Sequence, residues 1–392
     1  MARPLTLVPL ASTSPTMAEE MSICRLRAGL ASRSASEAWV LHDPRLWLGT
    51  VLHSVLEIAG HARTATDLEA AWDAEIARFV RQAGDHQFDR RFADPTRWPS
   101  YFLVRQRALS SAAKLLSDLQ QRADARLTHG HQPSTQRRTE RRLVARAGRL
   151  IGRPDRFDRW SVTDFKSTLP DATSPIGAEI LGRNQRQIKI YAAMIAEILG
   201  YWPNTGIITA ASGASITFNL VPAECDAEAD NATLELDGWN NALLTAEQPD
   251  DIANPSAAAC QNCRFQLVCP AFWAWISAGM ATSMPRTAPA ASGILSSVQS
   301  GNDGDLQTLH FSHVSATLPT GTELILTVRR SIHGDFFPTA IGTECRITAA
   351  AVRADGRLRA DYSTLVMSTN QIPVISIQND APGSTLRVAD NI

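Results

Sequence analysis

Residues 152–166, GRPDRFDRWSVTDFK, hold three side chains whose types and spacing could do chemistry together: Asp155, Asp164 and Lys166. The stretch is expected to form a tight β-hairpin, with Arg159 and Trp160 near its turn and SVTDF as a strand of β-branched and aromatic residues. Such a hairpin would bring the three side chains toward one point. Two carboxylates can hold a hard divalent cation through oxygen. The cation polarises a phosphate and lowers the pKa of a bound water. An ammonium beside it can orient that water or stabilise charge developing in the transition state. This is the equipment of metal-dependent phosphodiester cleavage. The chain has 24 Asp and three Lys in 392 residues, so a D-x-K would arise by chance with odds of roughly one in six. On its own the tripeptide reads more simply as a surface salt bridge, so its surroundings have to decide.

Three other segments match it in order. Gly49 to His53 (GTVLH) lies upstream, Gln187 to Tyr191 (QIKIY) lies downstream, and CQNCRFQLVC supplies Cys260, Cys263 and Cys269. With GRPDRFDRW followed by TDFKS, these resemble the PD-(D/E)XK nucleases, and within them the RecB-like branch. The resemblance covers about residues 20–283. It implies that His53 is a metal ligand in a G-x-x-x-H helix. It also implies that Gln187 and Tyr191 belong to a Q-x-x-x-Y helix that packs beside the site and contacts DNA. Cys24 far upstream plus the three later cysteines resembles the iron–sulfur nucleases, which include the AddB nuclease domain and the CRISPR-associated adaptation exonucleases. Ser167-Thr168 follows the lysine where Thr-Gly is commoner, and the surroundings of Cys24 are less aromatic than usual.

Composition sets outer bounds. Hydrophobic content of 44% and charged content of 20% are ordinary for a globular protein. A net charge of −1 announces no global basic field. Arginine is nevertheless concentrated at 137, 138, 141, 142, 146, 149 and 153, a stripe that could track a DNA backbone or form a solvated strand face. Residues 5–11 are apolar but short and interrupted by Pro9, which makes a poor signal peptide. No apolar run reaches 18 residues, so no membrane partner is expected and the location expected is cytoplasmic. Six cysteines are too few for a disulfide scaffold in so long a chain, and C-x2-C reads as metal or cluster binding in a reducing compartment.

The elements that must position these residues follow from hydrophobic periodicity. Residues 46–60 read as a helix carrying His53; 66–83 and 100–128 read as two longer helices. Strands are expected at 140–147, 149–158 and 161–167, with Glu140 either near the metal or in a simple salt bridge. Residues 170–183 read as a loop, 184–199 as a helix with Gln187 and Tyr191 on one face, 205–210 and 214–220 as a hairpin, and 226–246 as a helix. The expected fold class is α/β: a restriction-endonuclease-like nuclease core with a helical insertion at about 61–130, then a small all-β domain of OB type. The expected divisions are a disordered tail at 1–20, the nuclease domain at 21–283, a linker at 284–292, five strands over 293–369 and a tail at 370–392. An OB-type barrel would guide single-stranded nucleic acid.

Four thiolates can hold either zinc or an iron–sulfur cluster, and spacing alone does not separate them. The resemblance favours a [4Fe–4S] cluster on Cys24, Cys260, Cys263 and Cys269, with Cys225 and Cys345 as spare thiols. Such a group would staple the two ends of the nuclease domain together. The resemblance further implies Mg2+ or Mn2+ held by His53, Asp155, Asp164 and the Phe165 carbonyl, with Lys166 activating water and Gln187 and Tyr191 placing the phosphate strand. The activity expected is DNA cleavage, as an exonuclease on ends or single strands, in repair or defence. No helicase motif is present, so unwinding would come from a partner subunit. A catalytically silent DNA-binding subunit and a zinc-stapled interaction protein are the alternatives.

Overall fold

The structure, a computed structural model, describes residues 3–378 except 60–61, 63, 130–137, 140, 167, 211–212, 285–288, 303, 318–322 and 335–339. Side chains are also left undescribed at 118–119, 122–129, 138–139 and 282–283. Glu140 and Ser167, singled out above, thus lie outside the described residues.

The chain begins with β1 (Leu5–Leu7), α1 (Pro15–Ile23), α2 (Arg25–Ala31) and α3 (Ser34–Glu37). Ser14 caps α1 by accepting the Met17 N–H, and Pro15 takes the first helical position, where its missing N–H costs nothing. Helix α4 (Pro44–Ile58) starts the same way, with Asp43 accepting from Arg45 N–H ahead of Pro44. Trp47, Leu48, Val51, Leu52 and Val55 form its buried face. Helix α5 (Ala65–Asp85) opens on a reciprocal Thr64–Asp67 capping box. Helix α6 (Tyr101–His129) follows. The three helices share an apolar core of their own, with Trp47, Trp72, Phe79, Phe92 and Trp98 at its centre.

The sheet follows: β2 (Arg138–Thr139), β3 (Leu143–Ala145), β4 (Leu150–Gly152), β5 (Arg156–Phe157) and β6 (Ser161–Lys166), then α7 (Pro175–Leu199), β7 (Thr205–Ala210), β8 (Ser215–Asn219) and α8 (Pro222–Thr245). Strands β2-β5-β6-β7-β8 make one sheet, while β3 and β4 form a separate hairpin. Only β6 and β7 run parallel within that sheet, because α7 carries the chain back between them. The expected strand at 140–147 ends at Ala145, since Arg146, Ala147 and Gly148 all adopt positive φ in the β3–β4 turn. The expected strand at 149–158 is broken by Pro154, which cannot donate to a ladder. Helix α7 begins at Pro175 rather than 184. Ser174 caps it and Pro175 sits at its first turn, so the Pro/Ser/Gly composition read as a loop marks a helix start instead.

Two short helices, α9 (Ala257–Cys260) and α10 (Pro270–Ser277), bracket the cysteine loop. The β-rich region contains β9 (Ala291–Ser300), β10 (Leu306–Ala316), β11 (Glu323–Arg329), α11 (Arg330–His333), β12 (Glu344–Thr348), β13 (Ala351–Val352), β14 (Leu358–Arg359) and β15 (Leu365–Ser368). Strand β9 therefore absorbs the end of the expected linker. Strands β9, β10 and β11 form a meander, and β12 returns to pair with the free side of β9. Strand β14 lies parallel to β11, and β15 is antiparallel to β12.

Both expected tails need correction. Strand β16 (Ile375–Ile377) pairs in parallel with β1, and Leu5 and Leu7 are buried. Thr13 continues the attachment, exchanging backbone hydrogen bonds with Arg149 and Ile151 beside β4. The apolar residues of the amino-terminal segment thus complete a core instead of trailing in water. Residues 379–392 lie outside the described residues. Among the described residues no helix is long and apolar enough to cross a membrane.

Candidate active site

The β5–β6 hairpin is built by Asp158. Its Oδ1 accepts the N–H groups of Trp160 and Ser161 at 2.8 Å each, a side-chain turn that fixes the register Arg156↔Thr163 and Phe157↔Val162. On β6, Asp164 and Lys166 stand two apart and share a face. Asp155 is held at the same edge, where its Oδ2 accepts the Phe165 N–H at 2.6 Å. His53 reaches in from α4, with Nδ1 3.8 Å from Asp155 Oδ2 and its ring edge-on to Phe165. The expected residues Asp155, Asp164, Lys166, His53 and Phe165 therefore come together.

Helix α7 supplies the rest. Lys166 Nζ donates to Gln187 Oε1 at 3.3 Å, and Gln187 Nε2 lies 3.5 Å from the Tyr191 hydroxyl. Burial pushes the Tyr191 phenol up to about 12, so it stays a neutral donor or acceptor. The ring fits because residue 152 is glycine. A Cβ there would stand 2.6 Å from Tyr191 Cε1, closer than side chains tolerate.

Asp164 is 3% exposed. Burial raises its pKa, opposed by the Lys166 ammonium and by His53. Its Oδ2 faces Lys166 Nζ at 2.8 Å as an ion pair, yet this buried oxygen has no well-aligned hydrogen bond. A buried carboxylate oxygen without a full set of donors, a second carboxylate and an imidazole form the donor set of a Mg2+ or Mn2+ ligand cage. The residues present fit such a cation.

Four cysteines also converge. Cys24, Cys260, Cys263 and Cys269 line one small cavity together with Arg27 and Phe272, and none is in a disulfide. Burial pushes the Cys263 thiol up to about 12 and raises Cys260 and Cys269 as well. Holding thiolates there therefore needs positive charge. Backbone N–H groups of Asn254 and Phe272 already point at Cys24 and Cys269 sulfur. Cys225 and Cys345 are buried elsewhere, in α8 and β12.

The arginine stripe divides. Arg146 is braced by Glu197, Asp226 and Asp230 at 2.8–3.0 Å, and Arg149 pairs with Asp237. These two tie the β3–β4 turn to α7 and α8, a use that neither a DNA track nor a solvated face anticipated. Sequence reasoning missed a further group entirely. The His42 imidazole bridges Asp89 Oδ2 at 2.6 Å and Glu37 Oε2 at 3.0 Å, and His86 Nδ1 lies 3.1 Å from the same Asp89 oxygen. Asp89 is fully buried. Burial alone would lower His42, but its bonds to Asp89 and Glu37 outweigh this and raise it to about 9. The group anchors the amino-terminal end of α4, the helix that presents His53. Asp43-Pro44 was a readable helix start, but a fixed anion at residue 89 leaves no local signal in sequence.

Comparison with known proteins identifies the family. The family model of the PD-(D/E)XK nuclease superfamily matches residues 12–270, more than half of the chain. The chain belongs to that superfamily. One solved structure, described as "Crystal structure of SSO0001", aligns at 17% identity over 57% of this chain and 95% of that one, with a TM-score of 0.22. No curated protein matches the sequence.

Proposed function

We propose that this protein is a metal-dependent deoxyribonuclease of the RecB-like branch, an exonuclease acting on DNA ends or single strands in repair or defence. The observation that carries the reading is the convergence of His53, Asp155, Asp164 and Lys166 on one edge of β6, with Gln187 and Tyr191 beside them. His53, Asp155, Asp164 and the Phe165 carbonyl would hold Mg2+ or Mn2+. The cation, when bound, polarises the phosphate and acidifies the attacking water. Lys166 would orient that water and offset the negative charge that develops on the phosphate oxygens in the transition state. Gln187 fixes the Lys166 ammonium from behind, and Tyr191 fixes Gln187.

The four cysteines hold a [4Fe–4S] cluster in this reading. Their meeting in one small cavity, none of them in a disulfide, supports a shared metal or cluster, and iron and sulfide analysis separates a [4Fe–4S] group from zinc. The β-rich region reads as an OB-like barrel. The β9–β11 meander, the return of β12 to β9, and the parallel β11–β14 pair with α11 between β11 and β12 support that topology. Its work would be guiding a single strand, with a helicase or another repair or defence subunit supplying unwinding. The test is incubation of the full chain with end-labelled single- and double-stranded DNA, with and without Mn2+. Progressive shortening that needs Mn2+ supports the reading. Tight DNA binding without any cleavage would favour a silent binding subunit.

A further inference from the structure

Helix α7 carries more than Gln187 and Tyr191 toward the site. Arg183 lies four residues before Gln187 and so continues the same face, about 6 Å further along the axis. Arg186 is its neighbour. Both guanidinium groups line an open cleft of about 380 Å3 that also contains Lys166 and Gln187. Lys166, the last residue of β6, is shared between this cleft and the candidate active site.

One carboxylate holds both arginines. Glu19, on α1, meets Arg186 with both oxygens at 3.0 Å and Arg183 Nε at 3.1 Å. Arg183 also pairs with Glu179 one turn back. The two arginine side chains keep 38% and 42% exposure, although Arg183 Nε is buried and their donors are engaged by Glu19 and Glu179. Guanidinium forks match phosphate oxygens as well as carboxylates. The opposite wall, on α8, carries Glu228 and Glu235 and would repel phosphate. A polyanion entering this cleft is therefore pressed toward α7.

We propose that Arg183 and Arg186 form a phosphate-binding subsite for the DNA strand, next to the scissile phosphate, and that Glu19 occupies it until the strand displaces it. This rests on the nuclease reading above and adds where the strand runs and what it competes with. Glu19 makes the free cleft nearly neutral, so non-specific polyanions gain little there. A strand seated at Lys166 reaches Arg183 and Arg186 at high local concentration and exchanges one ion pair for another.

The test is fluorescence anisotropy of a labelled oligothymidine with the full chain in EDTA, over a salt series. Arg183→Gln with Arg186→Gln should weaken binding and lower the salt slope by about 1.4, the loss of two phosphate contacts on a single strand. Glu19→Gln, nearly isosteric, should instead tighten binding about two- to fivefold, the strength of an exposed ion pair. A folding defect would weaken binding in both variants, so opposite signs identify the competition. An unchanged slope in the double variant, or a Glu19→Gln protein that loses thermal stability without gaining affinity, would show that these ion pairs merely fasten α1 to α7. Absence of any DNA binding by the unaltered chain would instead overturn the nuclease reading and this subsite with it.

Discussion

At residue scale, the site is a relay of contacts from glycine to carboxylate. Gly152 admits the Tyr191 ring, Tyr191 meets Gln187, Gln187 accepts from Lys166, and Lys166 faces Asp164. Gly152→Ala should therefore act on chemistry through packing. Its methyl forces Tyr191 aside, an overpacking cost of about 1–3 kcal/mol. Thermal unfolding should report that loss, and cleavage should fall with it; wild-type behaviour in both would mean the ring moves freely. His53→Ala should raise the Mn2+ concentration needed for half-maximal cleavage by about tenfold or more, the effect of deleting or misplacing a ligand. Affinity for DNA measured in EDTA should stay unchanged, because His53 touches no proposed phosphate contact. Asp155, Asp164, Lys166 and His53 could be picked out in the sequence because together they resemble a nuclease motif set, and the structure brings them together. His42 and Asp89 were not legible. They lie 47 residues apart, and each alone is an ordinary polar residue.

At the scale of elements, the hairpin and the α7 crossover matter most, and α4 must be anchored for His53 to aim. His42 does that while charged. Its folded pKa, about 9, lies above the ordinary 6.5. A raised histidine pKa contributes stability that is full below pH 6.5 and is lost as the pH rises through about 9. Between those values the wild-type melting temperature should fall more steeply than that of His42→Gln. Parallel curves would show that His42 is neutral in the folded protein. Helices such as α4 and α5 were readable from their apolar faces and caps. The start of α7 was not, because Ser-Pro-Ile-Gly has loop composition, and only the cap geometry at Ser174 turns it into a helix start. The strands at 140–158 came out shorter than expected because positive φ at residues 146–148 and the ring of Pro154 override β propensity locally.

At the scale of the whole molecule, long-range ties join parts that local pattern cannot connect. Half-buried Arg91 donates to the carbonyls of Tyr362 and Thr364, and Arg346 donates to the Leu267 carbonyl while lying over Trp273. These two arginines seat the β-rich region on the helical lobe and the cysteine loop. Arg91→Ala should cost about 1–2 kcal/mol in thermal or denaturant unfolding, since it strands the carbonyl of buried Thr364; a change under about 0.5 kcal/mol would mean the seam is wet. Strand β1 was misread as tail for a related reason: its partner β16 stands at the far end of the chain. The cysteine cavity joins Cys24 to the 260–269 loop in the same manner. Anaerobically purified protein should carry iron and acid-labile sulfide, and serine at Cys24, Cys260, Cys263 or Cys269 should cost colour and melting temperature together. Serine at Cys225 or Cys345 should leave the colour unchanged. Zinc without sulfide would replace the cofactor but leave the nuclease reading standing. The central claim is that the edge of β6 cleaves DNA with a bound cation. Its most direct test is Mn2+-dependent degradation of an end-labelled single strand by the wild-type, Asp164→Ala and Lys166→Ala proteins side by side. The account predicts robust cleavage by the wild type and a loss of about a hundredfold or more in each variant, with strand affinity in EDTA largely retained; full cleavage by both variants would contradict it.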